Sequence, residues 1–242
     1  MNTLGIHFNF GENIQYRHEL KHEIGISDMI AIRQRLKVVA MPDTHAISGK
    51  YFIRSLYFDT PNDKALNEKI DGVSRRQKFR IRYYNFDKSF ISLEKKCKVG
   101  GLGLKVMAKL SEEEAQSIVD GKIDWMRNSK DDLIRELYSK MVSENLRPKT
   151  IVDYEREPFI YLPGNVRVTL DNNIRSGLNS VDFLNENAIT VPAAYGICIM
   201  EVKWDNFLPE IIRDVVQLPY AMTEAFSKYE SCRMPKIEYL NI

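Results

Sequence analysis

Apolar and polar residues alternate with the two-residue period of a strand over much of this chain, and the pattern switches to helical spacing at a few places. Strands are predicted over residues 14–23, 51–58, 78–84, 90–96, 150–156, 166–171 and 197–204. The runs 78–84 and 90–96 form a hairpin across Asn85-Phe86-Asp87-Lys88. Ser27-Asp28 caps a helix reaching about Ala40, with Pro42 just beyond it. Ser111-Glu112-Glu113-Glu114 opens a second helix with acids in its first turn, which suits the helix dipole. Further helices are expected over residues 131–144, 208–217 and 223–231, the last two separated by Pro219. Residues 59–63 read as a turn or helix entry, and Gly100-Gly101-Leu102-Gly103 as a flexible loop. Strands do not alternate regularly with helices, so the pattern predicts an α+β protein with an antiparallel sheet. No repeat or linker divides the chain, which reads as one domain over 1–242 with residues 1–13 as an N-terminal extension.

Composition narrows the function. The 242 residues are 44% hydrophobic and 28% charged, which excludes a disordered or collagen-like chain. The 35 Lys+Arg and 33 Asp+Glu leave a net charge of +2, so the chain lacks the footprint of a strongly basic nucleic-acid binder. Any anion site must concentrate its charge locally. Three widely spaced cysteines without a CxxC pair argue against a disulfide framework or a thiolate zinc site and for a reducing, cytoplasmic setting. No leader pattern and no run of about 20 apolar residues is present, so no signal peptide or transmembrane segment is expected. His18 and His22 are four apart, but on a strand that spacing is about 13 Å, too far for one metal.

The chemistry lies in the strand faces. Lys78, Arg80 and Arg82 share one face of their strand, with Phe79, Ile81 and Tyr83 on the other. The same alternation groups Arg17, Glu19 and Lys21; Ser92, Glu94 and Lys96; Tyr154 and Arg156; Arg167, Thr169 and Asp171; and Glu201 and Lys203. An antiparallel sheet with one solvated face produces such alternation by itself. Two details point further. Cations outnumber acids on these faces although the whole chain is balanced, and Glu19, Glu94 and Glu201 each sit two residues from a cation on the same face. Curled into a barrel, the strands would line a lumen with cations and a few carboxylates. Cations about 6.6 Å apart along a strand could contact successive phosphates of an extended chain. Arginine would bind them bidentately, and lysine as a point charge.

The ordered segments YRHELKH, RSLYFDT, KFRIRYY, SLEKKCK, VDYEREPF, VRVTLD, IMEVKW and FSKYESC resemble the VTC domain, the catalytic domain of polyphosphate polymerases in the triphosphate tunnel metalloenzyme superfamily. The resemblance runs from about residue 14 to 234. It implies a closed antiparallel β-barrel, the triphosphate tunnel, with helices packed around it. It also implies transfer of the γ-phosphoryl of ATP to inorganic polyphosphate, assisted by Mn²⁺ or Mg²⁺. Lys21, Arg80, Arg82, Lys96, Arg156, Arg167 and Lys228 match the family's basic catalytic positions. Tyr154 matches the aromatic that can stack on the nucleotide base, and Glu201 the glutamate that holds the metal. Lys105, Lys203, Glu94 and Glu19 complete the expected substrate-binding set, with Glu94 or Glu19 as a further metal contact.

Two positions depart from the pattern. Tunnel hydrolases begin with Glu-x-Glu-x-Lys, whereas Arg17 stands here at the first Glu, which favours a polymerase over a two-metal hydrolase. Polymerases can carry a second lysine three residues before the FSK lysine; here that residue is Ala225. A hydrolase of tripolyphosphate or nucleoside triphosphates, and a non-catalytic polyphosphate-binding module, remain the alternatives.

Overall fold

Alternation along most of the long strands separates an apolar outer face, which helices cover, from a charged inner one. The computed structural model of the protein describes residues 17–43, 46, 48–99, 102–218 and 226–234. The expected extension over 1–13, the first residues of the first expected strand and Ala225 lie outside the described residues. The strands are β1 (His18–Gly25), β2 (Met41–Pro42), β3 (Tyr51–Asp59), β4 (Arg75–Tyr84), β5 (Asp87–Val99), β6 (Leu102–Leu110), β7 (Arg147–Tyr161), β8 (Val166–Ser176), β9 (Val191–Pro192) and β10 (Ile197–Trp204). The helices are α1 (Ile26–Val39), α2 (Lys64–Ile70), α3 (Glu112–Val119), α4 (Asp132–Ser143), α5 (Glu210–Val216) and α6 (Lys228–Arg233).

All of these strands join one sheet, ordered β1-β10-β8-β7-β3-β4-β5-β6, with β2 added to β7 and β9 to β8. Every pairing is antiparallel. The sheet curls but is not the closed barrel expected. Among the described residues no backbone ladder joins its outer strands, β1 and β6. Side chains span the gap instead: Lys96 of β5 lies 3.2 Å from Glu19 of β1.

The outer face carries two apolar cores. Phe79, Ile81, Tyr83, Leu93 and Ala108 pack against Ala115 and Ile118 of α3 and against Leu133, Leu137 and Met141 of α4. On the other side Val168, Leu170, Met200 and Val202 pack against Met29, Ile32 and Leu36 of α1 and Ile212 of α5. Each of the larger aliphatic, Met and Phe side chains contributes about 1.5–3 kcal/mol when fully buried. A third core forms on the concave face at one end, where Tyr229 and Cys232 of α6 cover Ile53, Tyr57, Val152 and Tyr154.

Several local expectations change. The α1 N-cap is Gly25, which places Ser27 and Asp28 inside the first turn, where the carboxylate still favours the helix dipole. The Ser111 helix starts where expected, with a full capping box: Ser111 Oγ accepts from Glu114 N, and Glu114 accepts from Ser111 N. Asp131 caps α4 more simply, its carboxylate accepting from Leu133 N and Ile134 N. The hairpin turn narrows to Asn85-Phe86, both with positive φ, and its strands run further than expected. Leu102-Gly103 belong to β6 rather than to a loop, because Val99 pairs directly with Leu102. The helix expected from residue 223 begins, within the described residues, only at Lys228, with Ser227 as its N-cap.

Candidate functional site

The concave face gathers the inward positions of β1, β3–β8 and β10. Three buried carboxylates, Glu94, Glu201 and Asp171, organise its cations. Glu94 of β5 is 1% exposed. It receives Arg80 at 2.6 Å and Lys105 at 2.7 Å, with Arg82 at 3.8 Å. Burial alone would raise its pKa, but Arg80, Arg82 and Lys105 hold it well below the ordinary carboxylate range. Glu201 of β10 lies 3.2 Å from Lys203 and 3.4 Å from both Lys21 and Arg156. These cations keep it ionised against the same burial penalty. Lys21 also pairs with Glu19, which in turn meets Lys96.

Register explains these groupings. Arg80 is directly opposite Glu94, and Lys78 opposite Lys96, in the β4–β5 ladder. Lys21 is opposite Glu201, and Glu19 opposite Lys203, in the β1–β10 ladder. Directly opposed side chains on one face have Cβ atoms about 5 Å apart, so these charges meet.

Tyr154 joins the two groups and is 2% exposed. Its hydroxyl accepts from Arg82 Nη2 at 3.0 Å. Its ring has Lys228 Nζ at 4.7 Å, Arg156 at 5.5 Å and Arg82 at 5.8 Å from the centroid. Cations thus flank the ring that the family pattern offers to a nucleotide base. Tyr154 is placed to hold cations, with little face left for stacking.

The remaining expected residues divide. Lys228 reaches inward from α6 to Asp171, 2.6 Å away, and Asp171 also takes Arg156 bidentately at 2.6 and 2.7 Å. Arg167 stands apart at the rim, more exposed, with Asp43 at 3.1 Å. Arg17 is tied to Asp205 at 2.7 Å and to the Asn165 carbonyl rather than to the Glu201 group.

Sequence reasoning missed several inward residues. Asp171 was visible on the Arg167 face but not assigned a role; it is fully buried and anchors Arg156 and Lys228. On β3, Ser55 Oγ accepts from Arg82 Nε at 2.9 Å, and Tyr57 Oη accepts from Arg80 Nη1 at 2.7 Å. Neither residue carries charge, so the charge pattern passed over that strand. Lys78 donates to Ser227 Oγ at 3.1 Å, and burial lowers its ammonium to about 8. Burial would raise the Tyr57 phenol, but Arg80 and Arg82 overcome it and bring it down to about 8. The net result is a groove in which cations exceed carboxylates, suited to a polyanion.

Among the described residues no three His, Cys, Asp or Glu side chains converge as a metal site. Glu19 and Glu201, both against Lys21, are the carboxylates available for a divalent ion. That set fits an ion such as Mg²⁺, which takes one or two carboxylates and completes its shell with substrate phosphates.

Residues 16–234 match the family model described as VTC domain. No curated protein sequence matches the chain. Among solved structures, the fold resembles a Hippeastrum protein named for adenylyl cyclase and described with a dominant triphosphatase activity. The TM-score is 0.56 at 13% identity, over 90% of this chain and 95% of that one. A Bacillus halodurans protein assigned as an adenylate cyclase aligns with TM-score 0.51 at 13% identity, over 78% of this chain and 80% of that one. At such identity these likenesses show a shared fold alone.

Proposed function

The chain belongs to the VTC-domain family, and on that premise we propose that it is a polyphosphate polymerase, transferring the γ-phosphoryl of ATP to a growing inorganic polyphosphate chain. The observation that carries the reading is the pair of carboxylate-centred cation groups on the concave face, around Glu94 and Glu201, joined through Tyr154.

Phosphoryl transfer asks a protein mainly for positioning and for charge in the right place. Arg80, Arg82, Lys105 and Arg156 would hold the triphosphate. As it binds, its oxygens replace part of the contact these cations make with Glu94 and Asp171. Lys21, Lys96, Lys203 and Lys228 would guide the acceptor chain, with Arg167 at the rim. A terminal oxygen of that chain attacks the γ-phosphorus, the bond to the bridging oxygen of the β-phosphate breaks, and ADP leaves. The acceptor oxygen is already anionic, so no general base is required. Glu201, with Glu19, would hold Mn²⁺ or Mg²⁺, which supplies charge neutralisation at the phosphate oxygens.

Among the described residues no helix is long and apolar enough to cross a membrane. The demand for ATP and the free thiols of Cys97, Cys198 and Cys232 favour a cytoplasmic setting, with the chain acting as one domain. A second reading, hydrolysis of tripolyphosphate or a nucleoside triphosphate, draws on the triphosphatase activity of the Hippeastrum protein. Against it stands Arg17, a cation tied to Asp205 where a hydrolase carries a carboxylate. Incubation with ATP and Mn²⁺, followed by a gel stained for polyphosphate and an assay of free phosphate, separates the two. Polymer with ADP supports the polymerase; free phosphate without polymer supports the hydrolase.

A further inference from the structure

Four tyrosines sit at inward positions of the sheet, and they differ in what their rings can do. Tyr57 is buried and stacked on Tyr229, with ring centroids 5.1 Å apart. Tyr154 is buried among cations. Tyr51 is buried, and its phenol is bonded to Asp43, whose carboxylate also takes Arg167. Tyr84 alone of the four is half-buried. It is the last residue of β4, immediately before the Asn85-Phe86 turn, and so stands at the rim of the groove.

Its surroundings fix the ring. Tyr51, the first residue of β3, meets it edge-on, with centroids 5.7 Å apart and an interplanar angle of 70°. The Arg82 guanidinium lies 6.0 Å from its centroid. Arg82 is the next inward residue on the same face of β4, about 6.6 Å further in. Arg80, one step deeper, is held by Glu94 and Tyr57. The order along this strand face is therefore aromatic ring at the rim, then two arginines. The Tyr84 ring packs on the core that includes Tyr51, Ile53 and Tyr154, and at the far end of the same strand face Lys78 lies over Tyr229 of α6. A nucleoside triphosphate has matching parts in matching order, a flat base followed by an anionic chain.

We propose that Tyr84, braced by Tyr51, is the platform on which the base of a nucleoside triphosphate stacks while its phosphates run inward along Arg82 and Arg80. Base stacking at this rim presupposes the triphosphate-binding groove proposed above and adds to it the means of choosing a nucleotide over inorganic tripolyphosphate. Every base has a π-face, so the platform favours nucleotides as a class rather than one base.

Calorimetric titration of the full chain with Mg²⁺-ATP and with Mg²⁺-tripolyphosphate tests this. In Tyr84→Ala the Kd for ATP should rise about tenfold while that for tripolyphosphate stays within about twofold. Tyr84→Phe, which keeps the ring, should restore ATP binding. Equal weakening of both ligands in Tyr84→Ala, or no change in ATP binding, would overturn the platform. Binding of tripolyphosphate but not ATP by the unaltered chain would also overturn it while leaving the triphosphate groove standing. Binding of neither would bring down the proposed function together with the platform.

Discussion

Arg82 is the side chain on which most of the site converges. It is 3% exposed, donates to Ser55 and Tyr154, and lies near Glu94. Replacing it by alanine removes a fixed charge at the phosphates, and the rate of polymer synthesis should fall about 10²- to 10³-fold, as when one preorganised donor is lost. Steady-state assays with ATP check this, and near-normal turnover would remove Arg82 from the catalytic set. Glu94 makes the complementary case. Glu94→Gln leaves the buried Arg82 and the half-buried Arg80 without their counter-ion, and breaking a buried pair costs about 3 kcal/mol or more. Thermal unfolding should show a lowered Tm that tripolyphosphate restores, because an anion binding only the folded state stabilises it. A Tm equal to that of the unaltered chain would mean that Glu94 does not balance these cations.

At the scale of elements, α6 has the least support from its own length. Six residues do not make a stable helix in water, so α6 depends on what it touches. Tyr229 stacks on Tyr57 and donates to Asp59 at 2.6 Å, Arg233 pairs with Asp63, and Lys228 reaches Asp171. Tyr229→Ala removes the buried ring at a cost of about 3–5 kcal/mol. Hydrogen exchange over residues 228–233 should accelerate, and activity should fall because Lys228 loses its seat; unchanged exchange would show that the other contacts hold α6 alone. The elements also show what the sequence made readable. The inward faces of β1, β4, β5, β7, β8 and β10 were legible because charge alternates with apolar residues along them, and alternation maps directly onto two faces. The inward face of β3 was not, because Ser55 and Tyr57 carry no charge and the strand is buried on both faces. Strand β6 was hidden by the glycine-rich sequence at its start, which reads as a loop although Gly103 pairs with Lys98. The length of α6 was set by Ser227 capping and contacts distant in sequence, which helical periodicity does not report. Openness between β1 and β6 is likewise a long-range matter of how far the sheet curls.

For the whole molecule, a net charge of only +2 hides a groove with a strong local excess of cations. That arrangement makes polyanion binding dependent on pH. Partial burial brings the Lys78 ammonium down to about 8 in the free protein, and a bound polyphosphate would raise it. Protons are therefore taken up on binding near pH 8. Affinity should be greatest below about pH 8 and fall as pH rises through the bound-state value. Tyr57 acts in the same direction, since its phenolate forms near pH 8 and repels phosphate beside Arg80. Titrations in buffers of different ionisation enthalpy would reveal the proton uptake; none at pH 8, with affinity flat from pH 7 to 9, would contradict this account. The central claim is that the groove builds polymer. Its most direct test is the product formed from ATP and Mn²⁺ by the purified chain. The account predicts a ladder or smear of polyphosphate with ADP released in step. Free phosphate without polymer, or no turnover of ATP at all, would contradict it.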